Sequence, residues 1–275
     1  MEDPQARHPL RDRPAPTPDD NAAGKSKRIA LKIPGSVDRP YVTYTLLVIN
    51  VFLFVMRYIN VESAISILEW GVADTQAIVN GGEYYRLFTA MFLHLNETHI
   101  LFNGIALYYL GMNLERVFGH VRFLTIYMLG GLTGSIFMLF PGGSGLGASG
   151  AVFAIWGAEL IFLYRHRQMF GTMARERIRS SLIFMGMNFA IGFLANTTDS
   201  GIRISNAAHL GGLIGGLILT WFVGPRFEIQ RVQTTSADAP PIQVVQSNRF
   251  GECVRCLLYY SAGLLTLLLV AMLIH

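Results

Sequence analysis

Seven stretches of the chain are apolar and long enough to be read as bilayer-crossing helices, and this restricts the possible folds more than any other feature. A helix needs about 20 mostly apolar residues to cross hydrocarbon, where its backbone N–H and C=O groups must be paired within the segment. The stretches run 41–58, 94–112, 122–140, 148–164, 180–196, 205–223 and 257–274. They are apolar all round, whereas a membrane barrel uses segments of about ten residues with alternating polarity. An all-α polytopic membrane helix bundle is therefore expected. Charged residues make up only 15% of the 275, against about 25% in soluble domains, which argues against a soluble enzyme. The net charge of +4 is carried by loops between apolar runs, not by a patch of a nucleic-acid module. The fourth and fifth stretches are short, so both are expected to be shielded by neighbouring protein.

The chain divides by composition into four parts. Residues 1–40 are polar, charged and Pro-rich, and are expected to form a disordered cytoplasmic tail with no visible signal peptide. Residues 41–223 hold six helices, 224–256 form a polar linker, and 257–275 carry a seventh helix, a six-plus-one plan. Basic residues crowd 25–39 and 165–179, while the loop between the first two stretches is acidic. The positive-inside rule then places the N-terminus in the cytoplasm. A bacterial plasma membrane is the expected location, since no organelle-targeting segment is visible.

Polar residues inside such helices are costly and point to function. The second stretch carries His94, His99 and Asn103, the fourth Ser149 and Glu159, the sixth His209. Ser149, His209 and the His99–Asn103 pair fall at similar depth, near the outer ends of their helices. A hydroxyl becomes a nucleophile beside a base, and His209 is the candidate base. His99 and Asn103 lie at i and i+4, on one helix face. They are candidate oxyanion donors, joined by the backbone N–H groups of Ser149 and Ala148. Gly147 and Gly150 flank the serine and allow close backbone approach. Gly212 and Gly216 give small-xxx-small spacing, which predicts close packing of the sixth helix on the fourth. Each residue has a plainer reading: Ser149 as a packing residue, His209 as a carbonyl partner, His94 as an interfacial structural group, Glu115 and Arg116 as loop organisers. Glu159 is expected to be protonated or hydrogen-bonded within the bundle. The segment 141–147 is expected to border a wet cavity above Ser149, with 197–204 as a lid hinged at Gly201.

Four motifs occur together: GASGA at 147–151, AHLGGLIGG at 208–216, HILFN at 99–103 and GMNLERVFG at 111–119. On these, the chain resembles the rhomboid intramembrane serine proteases across about residues 41–223. The resemblance implies a Ser149–His209 dyad without a third acid, and oxyanion donors from His99, Asn103 and the Ser149 backbone. It also implies cleavage of a transmembrane helix of a substrate protein entering from the lipid bilayer. Two positions depart from the family pattern. A Trp-Arg pair appears as Tyr85-Arg86, and Phe153 stands where many members have Tyr, so support of His209 there is by ring packing alone.

No cofactor is expected. Gly24-Lys25-Ser26 lacks the earlier glycine of a phosphate loop, with Asp19 in its place. No HExxH occurs and nothing completes a metal site around His94 and His99, so neither a metal nor a nucleic-acid partner is expected. Cys253 and Cys256 form one C-x-x-C, too little for zinc. The competing function is a catalytically silent rhomboid-like adaptor, which is expected to lack the serine or the histidine.

Overall fold

The structure is a computed structural model that describes residues 33–197, 204–231 and 242–275. It is an all-α polytopic bundle. Helix α1 spans Tyr41–Met56. The loop after it carries α2 (Val61–Gly71), strand β1 (Ala73–Asp74), α3 (Thr75–Val79), α4 (Arg86–Thr89) and a 3₁₀ turn at Ala90–Phe92. Then come α5 (Glu97–Ala106), a π turn at Leu107–Gly111, α6 (Met112–Phe118) and α7 (His120–Leu139). Strand β2 (Ser144–Gly145) precedes α8 (Ser149–Arg165), α9 (Arg167–Thr197) and α10 (Asn206–Val223). Strands β3 (Phe227–Arg231) and β4 (Ile242–Gln246) and helix α11 (Val254–Ile274) complete the order.

Among the described residues, four helices are long and apolar enough to cross a membrane by length and composition: those at His120–Leu139, Arg167–Thr197, Asn206–Val223 and Phe250–Ile274. Helix α8 has 17 residues, and Gly150–Ile155 are all buried, so its short length meets protein and not lipid. The fifth helix departs from expectation. It is neither short nor shielded: beyond a break at Gly171, α9 is helical from residue 172 to Thr197, and most of its side chains are exposed. The arginine-rich stretch 172–179 stays helical and extends it beyond the apolar part.

Glycines set the centre. A Cβ on Gly212 would lie 2.0 Å from the Gly150 carbonyl oxygen, and one on Gly216 would lie 2.0 Å from that of Ala154. Helices α8 and α10 thus touch backbone to backbone, as the small-residue spacing predicted. Helix α7 closes the trio in the same way, with Gly130 against the Ala154 methyl and Gly134 against the Ala208 carbonyl. Dispersion between surfaces this close, and not a hydrophobic driving force, holds helices together in lipid.

Glu115 organises more than a loop. It is fully buried, and its carboxylate accepts from the Val42 N–H at 2.9 Å, the Thr43 N–H at 2.7 Å and the Thr43 hydroxyl at 2.6 Å. Helix α1 begins after Pro40 with no side-chain cap of its own, so this distant carboxylate satisfies its orphan donors and complements its dipole. Just upstream, the Val37 N–H donates to the Arg116 carbonyl at 2.9 Å. Residues 33–40 are thus docked on α6, whereas 1–32 lie outside the described residues. The stretch read as a plain linker, 224–256, contains the antiparallel hairpin β3–β4. It is anchored by buried Phe227 and Val244, apolar residues that the polar average of the segment concealed.

Candidate active site

Three helix starts converge on one end of the bundle. Helix α5 starts at Glu97 because Asn96 caps it: the Asn96 side chain accepts from the His99 N–H at 2.9 Å. Helix α10 is capped by Ser205, which accepts from the Ala208 N–H at 3.1 Å. Helix α8 is different. Its cap residue is Ala148, which has no side-chain acceptor. The first N–H groups of α8, beginning with Ser149, are left open for another acceptor.

Ser149 and Phe153 are one turn apart, hence on one face of α8. The Phe153 ring lies flat on the His209 ring, with centroids 4.3 Å apart and planes 9° apart. His209 is buried, and its Nδ1 has no hydrogen-bond partner among the described residues. One turn further along α10, Gly212 meets the carbonyl of Gly150, the residue after the serine. The imidazole is therefore held beside the face of α8 that carries Ser149.

His99 and Asn103 approach from the other side. A Cβ on Gly147 would sit 2.7 Å from His99 Cε1 and Nε2, and 3.8 Å from Asn103 Nδ2. Gly147 also has φ +123°, a conformation open to glycine and strained for other residues. Its N–H donates to the Ala90 carbonyl at 2.8 Å, which ties the segment before the serine to the first loop. The Leu95 N–H donates to His99 Nδ1 at 3.4 Å. That nitrogen must be unprotonated to accept, so the neutral ring carries its proton on Nε2, the edge facing Gly147. Asn103 donates one amide hydrogen to the His99 carbonyl at 3.0 Å, leaving a second for the site.

The structure thus brings together Gly147, Ala148, Ser149, Gly150, Phe153, His209 and Gly212, with His99 and Asn103 alongside. His94 is enclosed by protein: it is 1% exposed, its ring packs edge-on against His99 with centroids 5.2 Å apart, and Arg57 donates to its carbonyl. Leu93 and His94 are buried, whereas Leu95 and Asn96 are exposed ahead of the helix. Glu159 takes a partner from α9. Arg177 reaches it at 2.9 Å and the Ser181 hydroxyl at 3.0 Å, an ion pair that explains this polar residue without any chemistry. Cys253 and Cys256 are not joined, and the Cys253 thiol donates to the Phe222 carbonyl at 3.2 Å. Most of the segment expected to act as a lid, 198–203, lies outside the described residues.

Two contributors escaped sequence reasoning. Phe189 of α9 meets Phe153 edge-on at 5.3 Å and flanks His209 at 6.2 Å. Asn206 donates to the Phe189 carbonyl at 3.1 Å, fixing α9 to the start of α10. Asn206 stands three residues before His209, a polar residue at a helix start that could have been noticed. Nothing distinguishes Phe189 from other apolar residues of α9.

The model of the rhomboid domain matches residues 81–226, more than half of the chain. The chain belongs to the rhomboid family. It is 35% identical over 191 residues to the rhomboid protease GluP of Bacillus subtilis (strain 168), an alignment covering 68% of this chain and 35% of that protein. It is 33% identical over 160 residues to RHOMBOID-like protein 1 of Arabidopsis thaliana, covering 57% of this chain and 39% of the relative. It is 34% identical over 146 residues to the putative rhomboid protease YdcA of Bacillus subtilis, covering 52% of this chain and 69% of the relative. The chain therefore spans little more than a third of the length of GluP and of RHOMBOID-like protein 1. It is a rhomboid-type integral membrane protein.

Proposed function

We propose that this rhomboid is a serine endopeptidase that hydrolyses peptide bonds in or near transmembrane segments of other membrane proteins. The observation that carries the reading is the clamped arrangement around α8. Its uncapped N-terminus bears Ser149, its next turn bears the Phe153 ring on which His209 lies flat, and Gly147 before it abuts the His99 and Asn103 side chains.

In the first step Ser149 Oγ attacks the scissile carbonyl carbon, and His209 takes the hydroxyl proton as general base. The carbonyl oxygen becomes negative as the tetrahedral centre forms. The Ser149 N–H, the His99 Nε2–H and the free Asn103 amide hydrogen stand ready for that charge, with the Ala148 N–H as a further donor. His209 then gives its proton to the departing amine, leaving an acyl-serine. Water, activated by the same imidazole, attacks the ester carbonyl and releases the carboxylic acid and the free serine. Among the described residues no acidic side chain pairs with His209, and the flat contact with Phe153 sets its orientation.

The same reading assigns the N-terminus and the basic 165–179 segment to the cytoplasmic side, by the positive-inside rule. The site then lies near the extracytoplasmic face, where lipid gives way to the water that hydrolysis consumes. A silent adaptor role has no observation in its favour, since the chain keeps both Ser149 and His209. The test is cleavage of a model transmembrane substrate in reconstituted vesicles. Ser149→Ala and His209→Ala should each leave the substrate intact, and a Ser149→Ala protein that still cuts at the parental bond would refute the proposal.

A further inference from the structure

At the end of the bundle opposite Ser149, a second built feature stands apart from the chemistry. An open-sided groove of about 740 Å³ lies where α8 gives way to α9, and eight residues line it. Three are arginines: Arg167, Arg175 and Arg179. Ile178, Leu182 and Ile183 supply an apolar wall. Arg175, Arg179 and Leu182 recur at helical spacing, so one stripe of α9 passes from charge to hydrocarbon-like surface.

The groove exists because Gly171 breaks the helix. Its φ is +56° and its ψ −127°, a left-handed conformation that turns the chain so that Arg167 and the Arg175–Arg179 pair edge the same space. Arg167 is already held in place. It donates to the Tyr164 carbonyl at 3.0 Å, and its guanidinium lies 4.7 Å from the Tyr164 ring centre. Arg177, between the other two, points elsewhere and is neutralised by Glu159. No ion pair with an acidic side chain is formed by Arg167, Arg175 or Arg179 among the described residues, and Glu176 does not line the groove.

We propose that this groove is a binding site for an anionic phospholipid. Its arginines take the phosphate oxygens through fork-like paired hydrogen bonds, and the upper acyl chain lies along Ile178, Leu182 and Ile183. The charge complementarity selects an anionic headgroup, and the apolar wall selects a lipid over a free phosphate. A tyrosine at the rim matches the depth at which aromatic residues meet headgroups. Basic pockets between membrane helices recognise such headgroups elsewhere. The site lies far from Ser149, so the proposal stands or falls independently of the proposed catalysis.

The test is native mass spectrometry of the full chain in detergent, titrated with phosphatidylglycerol or with phosphatidylcholine of the same acyl chains. Phosphatidylglycerol should bind preferentially. The Arg175→Gln, Arg179→Gln double variant should weaken that binding on the order of 10- to 30-fold. Arg226→Gln with Arg255→Gln removes two exposed arginines outside the groove and should leave binding intact. Arg175→Lys with Arg179→Lys keeps both charges but loses the paired hydrogen bonds, so it should bind more tightly than the glutamine pair and less tightly than the parent, which keeps the test valid should the glutamine pair prove unstable. Equal binding of the two lipids, an unchanged affinity in the glutamine pair, or an equal loss in the Arg226, Arg255 variant would each overturn the proposal. Displacement of the lipid by millimolar glycerol phosphate would also overturn it, showing a site for a free anion.

Discussion

Gly212→Ala probes how closely α8 and α10 must approach for Ser149 and His209 to work together. The added methyl would stand 2.0 Å from the Gly150 carbonyl oxygen and 2.8 Å from its carbon, whereas ordinary contact begins at 3.4 Å. Both atoms are backbone, so no flexible side chain can yield. The helices must separate locally by about 1.4 Å at a point one turn from His209. Overpacking of this kind costs about 1–3 kcal/mol of stability. A displacement of roughly 1 Å at a reacting pair costs about 100-fold in rate. Thermal unfolding in detergent and initial rates of substrate cleavage in vesicles measure the two effects. Gly263→Ala is the control, because its Cβ would meet nothing within 4 Å, and it should preserve activity. Gly216→Ala, equally close to the Ala154 carbonyl but a turn further from the site, should destabilise as much while slowing cleavage less. A Gly212→Ala protein that melts and cuts like the parent would refute the claim that backbone contact between α8 and α10 aligns the site.

Asn103→Ala removes one oxyanion donor and leaves the others, so kcat should fall about 100- to 1,000-fold, or about 2.7–4 kcal/mol, while substrate still binds; complete inactivity equal to that of Ser149→Ala would assign Asn103 a larger role. Phe153→Leu removes the ring on which His209 lies and should slow cleavage without unfolding the bundle, whereas Phe153→Tyr keeps the flat contact and should remain active; equal losses in both would deny that the stacking matters. Glu115→Ala leaves the start of α1 without its acceptor and should lower stability by about 1–3 kcal/mol, the range for leaving a buried donor unpaired, as read by denaturation in detergent. In the first loop, hydrogen bonds from Arg86 and then Tyr85 hold the Glu83 carboxyl below its ordinary range. A group with a lowered folded-state pKa stabilises above its unfolded value and loses that contribution as pH falls through the folded one. Limited proteolysis of the 80–86 segment should therefore accelerate on acidification, and Glu83→Gln should remove that pH dependence.

The helices were legible because lipid imposes a length and an apolarity that any spanning segment must meet. The starts of α7, α8 and α10 fall within two residues of the sequence reading for this reason. Helix α5 starts three residues late because Asn96, not hydropathy, sets its first turn. The first loop was not legible in the same way. Helices α2, α3 and α4 are short, and they are held by tertiary contacts such as Trp70 stacked on Tyr85 at 5.0 Å and Arg86 donating to the Val72 carbonyl at 3.0 Å. The departure at Tyr85 from the family's tryptophan is accommodated by that stack. Among polar residues, hydropathy marked Ser149, His209 and Glu159 alike as costly, and only geometry separates them. Glu159 finds Arg177, 18 residues away, whereas His209 lies flat on Phe153, one turn after Ser149 on α8. The burial of His94 was hidden because it goes with a tertiary contact, Arg57 of the preceding segment donating to the His94 and Leu95 carbonyls.

The central claim is that Ser149 is a nucleophile made reactive by His209 at the helix ends. Labelling the membrane-embedded protein with a fluorophosphonate and mapping the adduct by peptide mass spectrometry tests it most directly. The account predicts a single adduct on Ser149, absent in Ser149→Ala and strongly reduced in His209→Ala. An adduct on another residue, or labelling of Ser149 at the parental rate without His209, would contradict it.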